Sequence, residues 1–156
     1  MANAVKWSAL GTFTTAIAGA ATAPTLKSLT NNGRKTGNTI DNSAAGVRNI
    51  LSDWELKVTF AIAPAANSPV ELYFLKMPDG TNPEYGDDTS IDPPPSALVG
   101  VFPCRAATVV QRITLRGIVL PATAFKPYVI NKAGQAFTGV DNDSILSFIP
   151  YNEEIQ

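Results

Sequence analysis

Cys104, the single cysteine, stands between Pro103 and Arg105 at the end of an apolar run. Arg105 is placed to lower its pKa, but the chain has no histidine to serve as its base. Cys104 therefore reads as a small buried or half-buried residue. No serine lies in a G-x-S-x-G elbow, and no S-x-x-K pair occurs. Gly33-Arg34-Lys35-Thr36 echoes the end of a phosphate-binding loop. Arg34 stands where that motif needs glycine, however, and Leu29 stands where its first glycine belongs. The stretch reads as a solvated basic loop.

Oxygen ligands are more plentiful. Asp79, Glu84, Asp87, Asp88 and Asp92 fall within one loop, and oxygen-rich loops hold calcium. The D-x-[DN]-x-[DN]-G spacing is missing, as is a bidentate glutamate at its end, so a solvated loop is the plainer reading. Two carboxylates also suffice for glycoside hydrolysis, but nothing in the sequence selects a pair. Arg112, Thr114 and Arg116 share one face of an alternating segment. They form either a solvent-facing row paired with neighbouring carboxylates or a patch that docks an acidic partner. Trp7, Tyr85 and Tyr151 lie near the termini or in loops. Such rings serve as sugar platforms or as interface anchors, and two of the three sit near chain ends, which favours anchors. The partner-binding residues expected from sequence are Trp7, Phe13, Arg34, Lys35, Arg112, Arg116 and Tyr151. No catalytic, cofactor-binding or metal-binding residue is assigned, and the chain is expected not to be an enzyme.

Composition narrows the field further. The 156 residues carry 12 Lys plus Arg against 13 Asp plus Glu, a net charge of -1. A clustered basic excess, the footprint of nucleic-acid or membrane-surface binding, is missing, so neither partner is expected. The absence of histidine removes the commonest general base and neutral metal ligand. One cysteine excludes an internal disulfide. A 45% hydrophobic share with 16% charged residues fits a folded domain. Residues 7–25 have a low-charge, signal-like character, with Lys6 in front and Ala21-Thr22-Ala23 behind. Thr12, Thr14 and Thr15 interrupt the apolar region and Pro24 follows, so a Thr-rich strand over residues 10–17 is the better reading. No segment is expected to span a membrane, and synthesis in a bacterial cytoplasm is expected.

The elements that must position these groups are strands. Twelve prolines and eleven glycines cut the chain into short apolar runs. Trp54, Leu56, Val58, Phe60 and Ile62 alternate with polar or small residues, which predicts a strand with one buried face. Residues 70–77 are apolar on both faces and predict a central strand. Residues 79–95 form a long loop. Further strands are expected at 98–102, 109–120, 125–132 and 144–151. Pro127 should demote the start of the third of these to an edge or bulge. In the 109–120 strand, Val109, Gln111, Ile113, Leu115 and Val119 share one face, and Val110, Arg112, Thr114, Arg116 and Ile118 the other. The N-terminal third adds 10–17, 26–29 and a short strand at 38–41, with one helical turn near 45–52. Eight to nine strands at regular spacing predict an all-β, antiparallel, jelly-roll-like β-sandwich. Residues 1–25 form an N-terminal arm or first strand, and residues 26–156 form the sandwich.

The pattern from residue 26 onward carries a resemblance. It runs LKSL (26–29), IDNS (40–43), DWELKVTF (53–60), VELYFL (70–75), DGTN (79–82), DPP (92–94) and LVGVFP (98–103). It continues with QR (111–112), LP (120–121), FK (125–126), NKAGQ (131–135) and PYN (150–152). Over residues 26–152 the chain resembles a family of small virion-associated structural proteins of tailed bacteriophages. Cys104 departs from the apolar residue expected at its position. The resemblance implies a capsid decoration (cement) protein, located in the virion, that binds the major capsid protein and stabilises the coat lattice as a dimer or trimer. A tail or baseplate component, or a sugar-binding module for host-surface attachment, are the alternatives. Residues 1–23 would form an arm that orders Val5, Trp7, Leu10, Phe13 and Ile17 against a neighbouring subunit. The polar stretch 31–46 would add adhesion.

Overall fold

The computed structural model of the chain describes residues 5–7, 11–19, 24–44, 48–86 and 89–155. It contains ten strands: β1 (Val5–Trp7), β2 (Thr14–Ile17), β3 (Arg34–Thr36), β4 (Leu51–Val58), β5 (Ser68–Met77), β6 (Leu98–Cys104), β7 (Gln111–Val119), β8 (Ala124–Asn131), β9 (Ile145–Tyr151) and β10 (Glu153–Ile155). Eight of them build two four-stranded antiparallel sheets, in the orders β2-β9-β4-β7 and β3-β8-β5-β6. Successive strands from β2 to β5 alternate between the sheets, and β6 to β9 return to lie beside them. That is the double Greek key of a jelly roll. β1 and β10 add a two-stranded ribbon outside the sandwich.

The two sheets bury a common core. On β4 every second residue is buried, with Ser52, Trp54, Leu56 and Val58 inward and Leu51, Asp53, Glu55 and Lys57 outward. Trp54 stacks on Phe148 of the neighbouring β9, with ring centroids 4.7 Å apart, and meets Phe74 of the opposite sheet at 5.2 Å. Phe74 in turn lies 4.6 Å from Phe125 on β8. The indole N–H of Trp54 donates to the Ser52 hydroxyl at 2.8 Å, so the wedge carries no orphaned donor. β5 is interior to its sheet and buried on both faces. Val70, Leu72 and Phe74 enter the main core, while Tyr73 and Leu75 join Tyr128 and Ile130 in a second cluster. Part of that second cluster lies under the 79–95 loop, where the Tyr128 hydroxyl donates to the Ile91 carbonyl at 3.0 Å.

Several elements differ from the sequence expectation, each for a local reason. Phe60 remains inward through an isolated bridge to Phe137, but Ile62 lies beyond the strand and is 65% exposed. Pro127 sits on β8 between β3 and β5, not at an edge or bulge. Its carbonyl accepts the Gly37 N–H at 2.7 Å, so its missing amide hydrogen points to the side where β3 has already ended at Thr36. The ladder to β5 therefore loses no bond. Strict alternation fails on β7. Ser52 pairs with Ile118 but Trp54 pairs with Leu115, so Arg116 and Gly117 together oppose Asp53. Gly117 takes φ +66°, a left-handed value that suits a glycine bulge. Ile118 thereby packs on the core while Val119 turns outward and is 67% exposed.

Residues 26–29 are not a strand. Leu26 and Leu29 are buried in a turn that follows an isolated bridge at Thr25. The strand expected at 38–41 lies earlier, at Arg34–Thr36, with Ile40 bridging to Phe125. The helical turn near 45–52 gives way to the start of β4, with 45–47 outside the described residues; a short 3-10 helix lies instead at Pro95–Ala97. The N-terminal stretch pairs within the chain: Val5–Trp7 with β10, and β2 with β9. Leu10 falls outside the described residues.

Removing the Trp54 ring leaves a large void between the sheets. Trp54→Ala is expected to lower unfolding free energy by about 3–5 kcal/mol in urea titrations. A loss under about 1 kcal/mol would show that the ring is not the inter-sheet wedge.

Candidate functional site

The period-two alternation that sends Trp54 inward sends Asp53, Glu55 and Lys57 to the outer face of the first sheet. Register then fixes their neighbours. Asp53 lies beside Ile149 of β9 and opposite the Arg116-Gly117 bulge of β7. Phe13 precedes Thr14, the partner of Phe148, and so extends this row past Ile149. The next row runs Thr15, Ser147, Glu55, Thr114. Phe13, Asp53, Glu55, Thr114, Arg116 and Ile149 line an open depression of about 200 Å³. Four adjacent strands at about 4.8 Å spacing give this row a length of about 14 Å.

The two carboxylates in it are held by short contacts. The Asp53 Oδ1 accepts the Gly117 N–H at 2.9 Å and the Tyr151 hydroxyl at 3.0 Å. The Glu55 carboxylate pairs with the Arg112 guanidinium. Lys57 Nζ donates to the Asn142 carbonyl at 2.7 Å, which draws it to the edge of the face. The Phe13 ring is 53% exposed. An aromatic surface thus stands beside two held carboxylates, the Thr114 hydroxyl and the Arg116 guanidinium, the lining that a small polar ligand with an apolar side needs.

Other candidates form no comparable site. A depression of about 380 Å³ lies between the β6 and β7 ends, lined mainly by Leu98, Val99, Ile118, Val119 and Leu120, with Lys76 its one charged side chain. Two carboxylates of the acidic loop, Asp79 and Asp92, are already engaged. Asp79 accepts the backbone N–H groups of Asn82 and Thr81 and the Asn82 side-chain amide. These bonds hold its carboxyl at about 2, below the ordinary 3.8. Asp92 is drawn into ion pairs with Arg34 at 2.5 Å and Lys132 at 3.4 Å. The Arg34 hydrogen bond lowers its pKa. Asp87 and Asp88 lie outside the described residues. Among the described residues no three of His, Cys, Asp or Glu come together as a metal site. Among them, too, no helix is long and apolar enough to cross a membrane. Burial pushes the Cys104 thiol up to about 11, the reverse of the lowering expected from Arg105.

The structure therefore gathers only some of the residues singled out in the sequence. Phe13, Arg112, Arg116 and Tyr151 share one sheet face. Arg34 and Lys35 sit on β3 of the other sheet, where Arg34 holds the acidic loop and Lys35 is half-buried. Tyr85 is exposed in that loop, away from the first sheet. Trp7 lies on β1, opposite Glu153. Sequence reasoning missed Asp53, Glu55 and Ile149, although the alternation around Trp54 contained the signal for the first two.

No protein-family model matches the chain, and no curated protein sequence matches it. Among solved structures, the chain is similar to the carbohydrate-binding module CBM36 in complex with calcium and xylotriose. Identity is 14% and the TM-score 0.41, over 98% of this chain and 99% of that one. It is also similar to the CBM36-1 domain of a multidomain xylanase from the hindgut metagenome of Trinervitermes trinervoides. Here identity is 11% and the TM-score 0.40, over 99% and 97% of the two chains.

The low Asp79 pKa has a pH consequence. A carboxylate whose folded pKa is depressed stabilises the fold above its unfolded value, and that contribution disappears as pH falls through the folded value. Wild-type protein and Asp79→Asn should differ in melting temperature at pH 5, and the gap should close between about pH 4 and about pH 2. A gap that stays constant across this range would show that the loop bonds do not depend on the charge.

Proposed function

We propose that the chain is a non-catalytic recognition module that binds a carbohydrate on the outer face of the β2-β9-β4-β7 sheet. The observation that carries this reading is the exposed Phe13 ring beside Asp53, Glu55, Thr114 and Arg116 in one shallow depression. A sugar presents an apolar face of C–H groups and a rim of hydroxyls. The first packs on an aromatic ring, and the second needs both acceptors and donors within reach. Here the carboxylates accept, the guanidinium donates and the threonine hydroxyl does either. All but the ring stand on strands of one sheet, and Asp53 and Glu55 are already held, so the ordering cost of binding falls mainly on the Phe13 and Arg116 side chains. The platform on this reading is Phe13, in place of Trp7, Tyr85 or Tyr151.

A second reading keeps the virion role implied by the sequence resemblance. The exposed apolar side chains Leu98 and Val101 on β6 and Val119 on β7 support it, because they flank sheet edges suited to packing against a lattice.

A glycan array separates the two. Wild-type protein should bind a defined set of oligosaccharides. Phe13→Ala should weaken that binding at least about 10-fold while leaving the melting temperature nearly unchanged, since the ring is more than half exposed. A blank array, together with hundreds of copies of the protein on purified phage particles, would replace the carbohydrate reading with the decoration reading.

A further inference from the structure

The charges on the proposed face are not equivalent. The outward side chains of its four strands include three cations, Lys57, Arg112 and Arg116, and two carboxylates, Asp53 and Glu55. One positive charge is in excess. Each of the other four has a partner: Asp53 holds the Gly117 N–H and the Tyr151 hydroxyl, Glu55 and Arg112 hold each other, and Lys57 holds the Asn142 carbonyl. Arg116 alone has no hydrogen-bond or ion-pair partner among the described residues, and it lines the depression with Phe13.

The bulge explains this. On a regular antiparallel ladder, Asp53 and Arg116 would face each other as a cross-strand ion pair. The extra residue at Gly117, with φ +66°, presents its backbone N–H to the Asp53 carboxylate instead. Asp53 is thereby committed to Gly117 and Tyr151, and the guanidinium across from it is left open to the depression.

We propose, resting on the carbohydrate reading above, that the ligand is an acidic glycan whose uronic-acid carboxylate pairs with Arg116 while a neighbouring sugar ring packs on Phe13. A guanidinium fork matches a planar carboxylate with two parallel N–H···O bonds. Repulsion from the face's own carboxylates is small, because Glu55 is neutralised by Arg112 and Asp53 is turned to the bulge. The row is about 14 Å long, three strand spacings, and so holds more than one sugar unit between ring and guanidinium.

The test measures trigalacturonic acid, a neutral trisaccharide of the same sugar and a sulfated trisaccharide by calorimetry, against wild-type protein and Arg116→Gln. Arg116 is exposed, and unchanged melting of the variant establishes that it folds. Wild-type protein should prefer the uronic acid ligand. Arg116→Gln should lose about 10- to 100-fold for it and only about 3-fold, the worth of one neutral hydrogen bond, for the neutral sugar. Equal affinity for acidic and neutral ligands would overturn the acidic assignment and leave the carbohydrate reading standing. Preference for the sulfated ligand would overturn the carboxylate geometry. Binding of none of the three, with the glycan array also blank, would overturn both.

Discussion

The chain of rings that joins Phe148, Trp54, Phe74 and Phe125 is the contact on which the rest of the molecule depends. It crosses from one sheet to the other through a single fully buried indole. No disulfide joins the two four-stranded sheets, since the one cysteine is unpaired. Their separation and relative position must come from side chains that interdigitate at the core. Trp54 supplies the largest of these and satisfies its own donor on Ser52 within the same strand. A smaller polar hub supports the end of the sandwich. The Asn131 side-chain amide donates to the carbonyls of Leu29, Thr30 and Gln135, and its oxygen accepts the Ala133 N–H. Those bonds tie the turn near residue 30 to the turn after β8 and leave no buried group of Asn131 unmatched.

The outer face inherits its layout from that inner contact. Because a strand alternates with period two, fixing Trp54 inward fixes Asp53 and Glu55 outward, and a one-residue slip would exchange them. The bulge at Gly117 then breaks the alternation of β7 at one point. It returns Ile118 to the core, exposes Val119 and moves the Asp53 carboxylate onto a backbone amide. Packing and recognition are thus settled by the same few residues. The acidic loop plays a different part: through Asp92 and the Ile91 carbonyl it covers the second cluster around Tyr128, and its Asp79 and Asp92 carboxylates hold the loop itself and β3 in place.

Much of the fold was legible in the sequence because its strongest signals are local. Alternation at residues 54–60 and the two-sided apolar run at 70–77 correspond to β4 and β5, and turn residues at 133–135 and 141–143 mark real reversals. What misled sequence reasoning was context. Pro127 reads as an edge signal until its missing amide hydrogen is seen to face the end of a shorter neighbour. A left-handed glycine inside a strand is invisible to a strict period-two count, which puts Val119 and Ile118 on the wrong faces. The binding face was half legible. Arg112, Thr114 and Arg116 stand out as one row, and Phe13 as one of the apolar residues of a Thr-rich N-terminal stretch expected to meet a partner. Their union with Asp53 and Glu55 depends on β4 lying between β7 and β9, a pairing between segments some 60 to 95 residues apart that no local pattern encodes.

Amide chemical-shift mapping by NMR locates a ligand on the β2-β9-β4-β7 face, or off it, without a substitution. On titration with an oligosaccharide that the protein binds, the largest shifts are expected at Thr14, Asp53, Glu55, Thr114, Arg116 and Ile149, on four neighbouring strands of one sheet face. Shifts concentrated instead in residues 79–92, or along the β6 and β7 edges near Leu98 and Val119, would contradict this placement and move the site elsewhere on the sandwich.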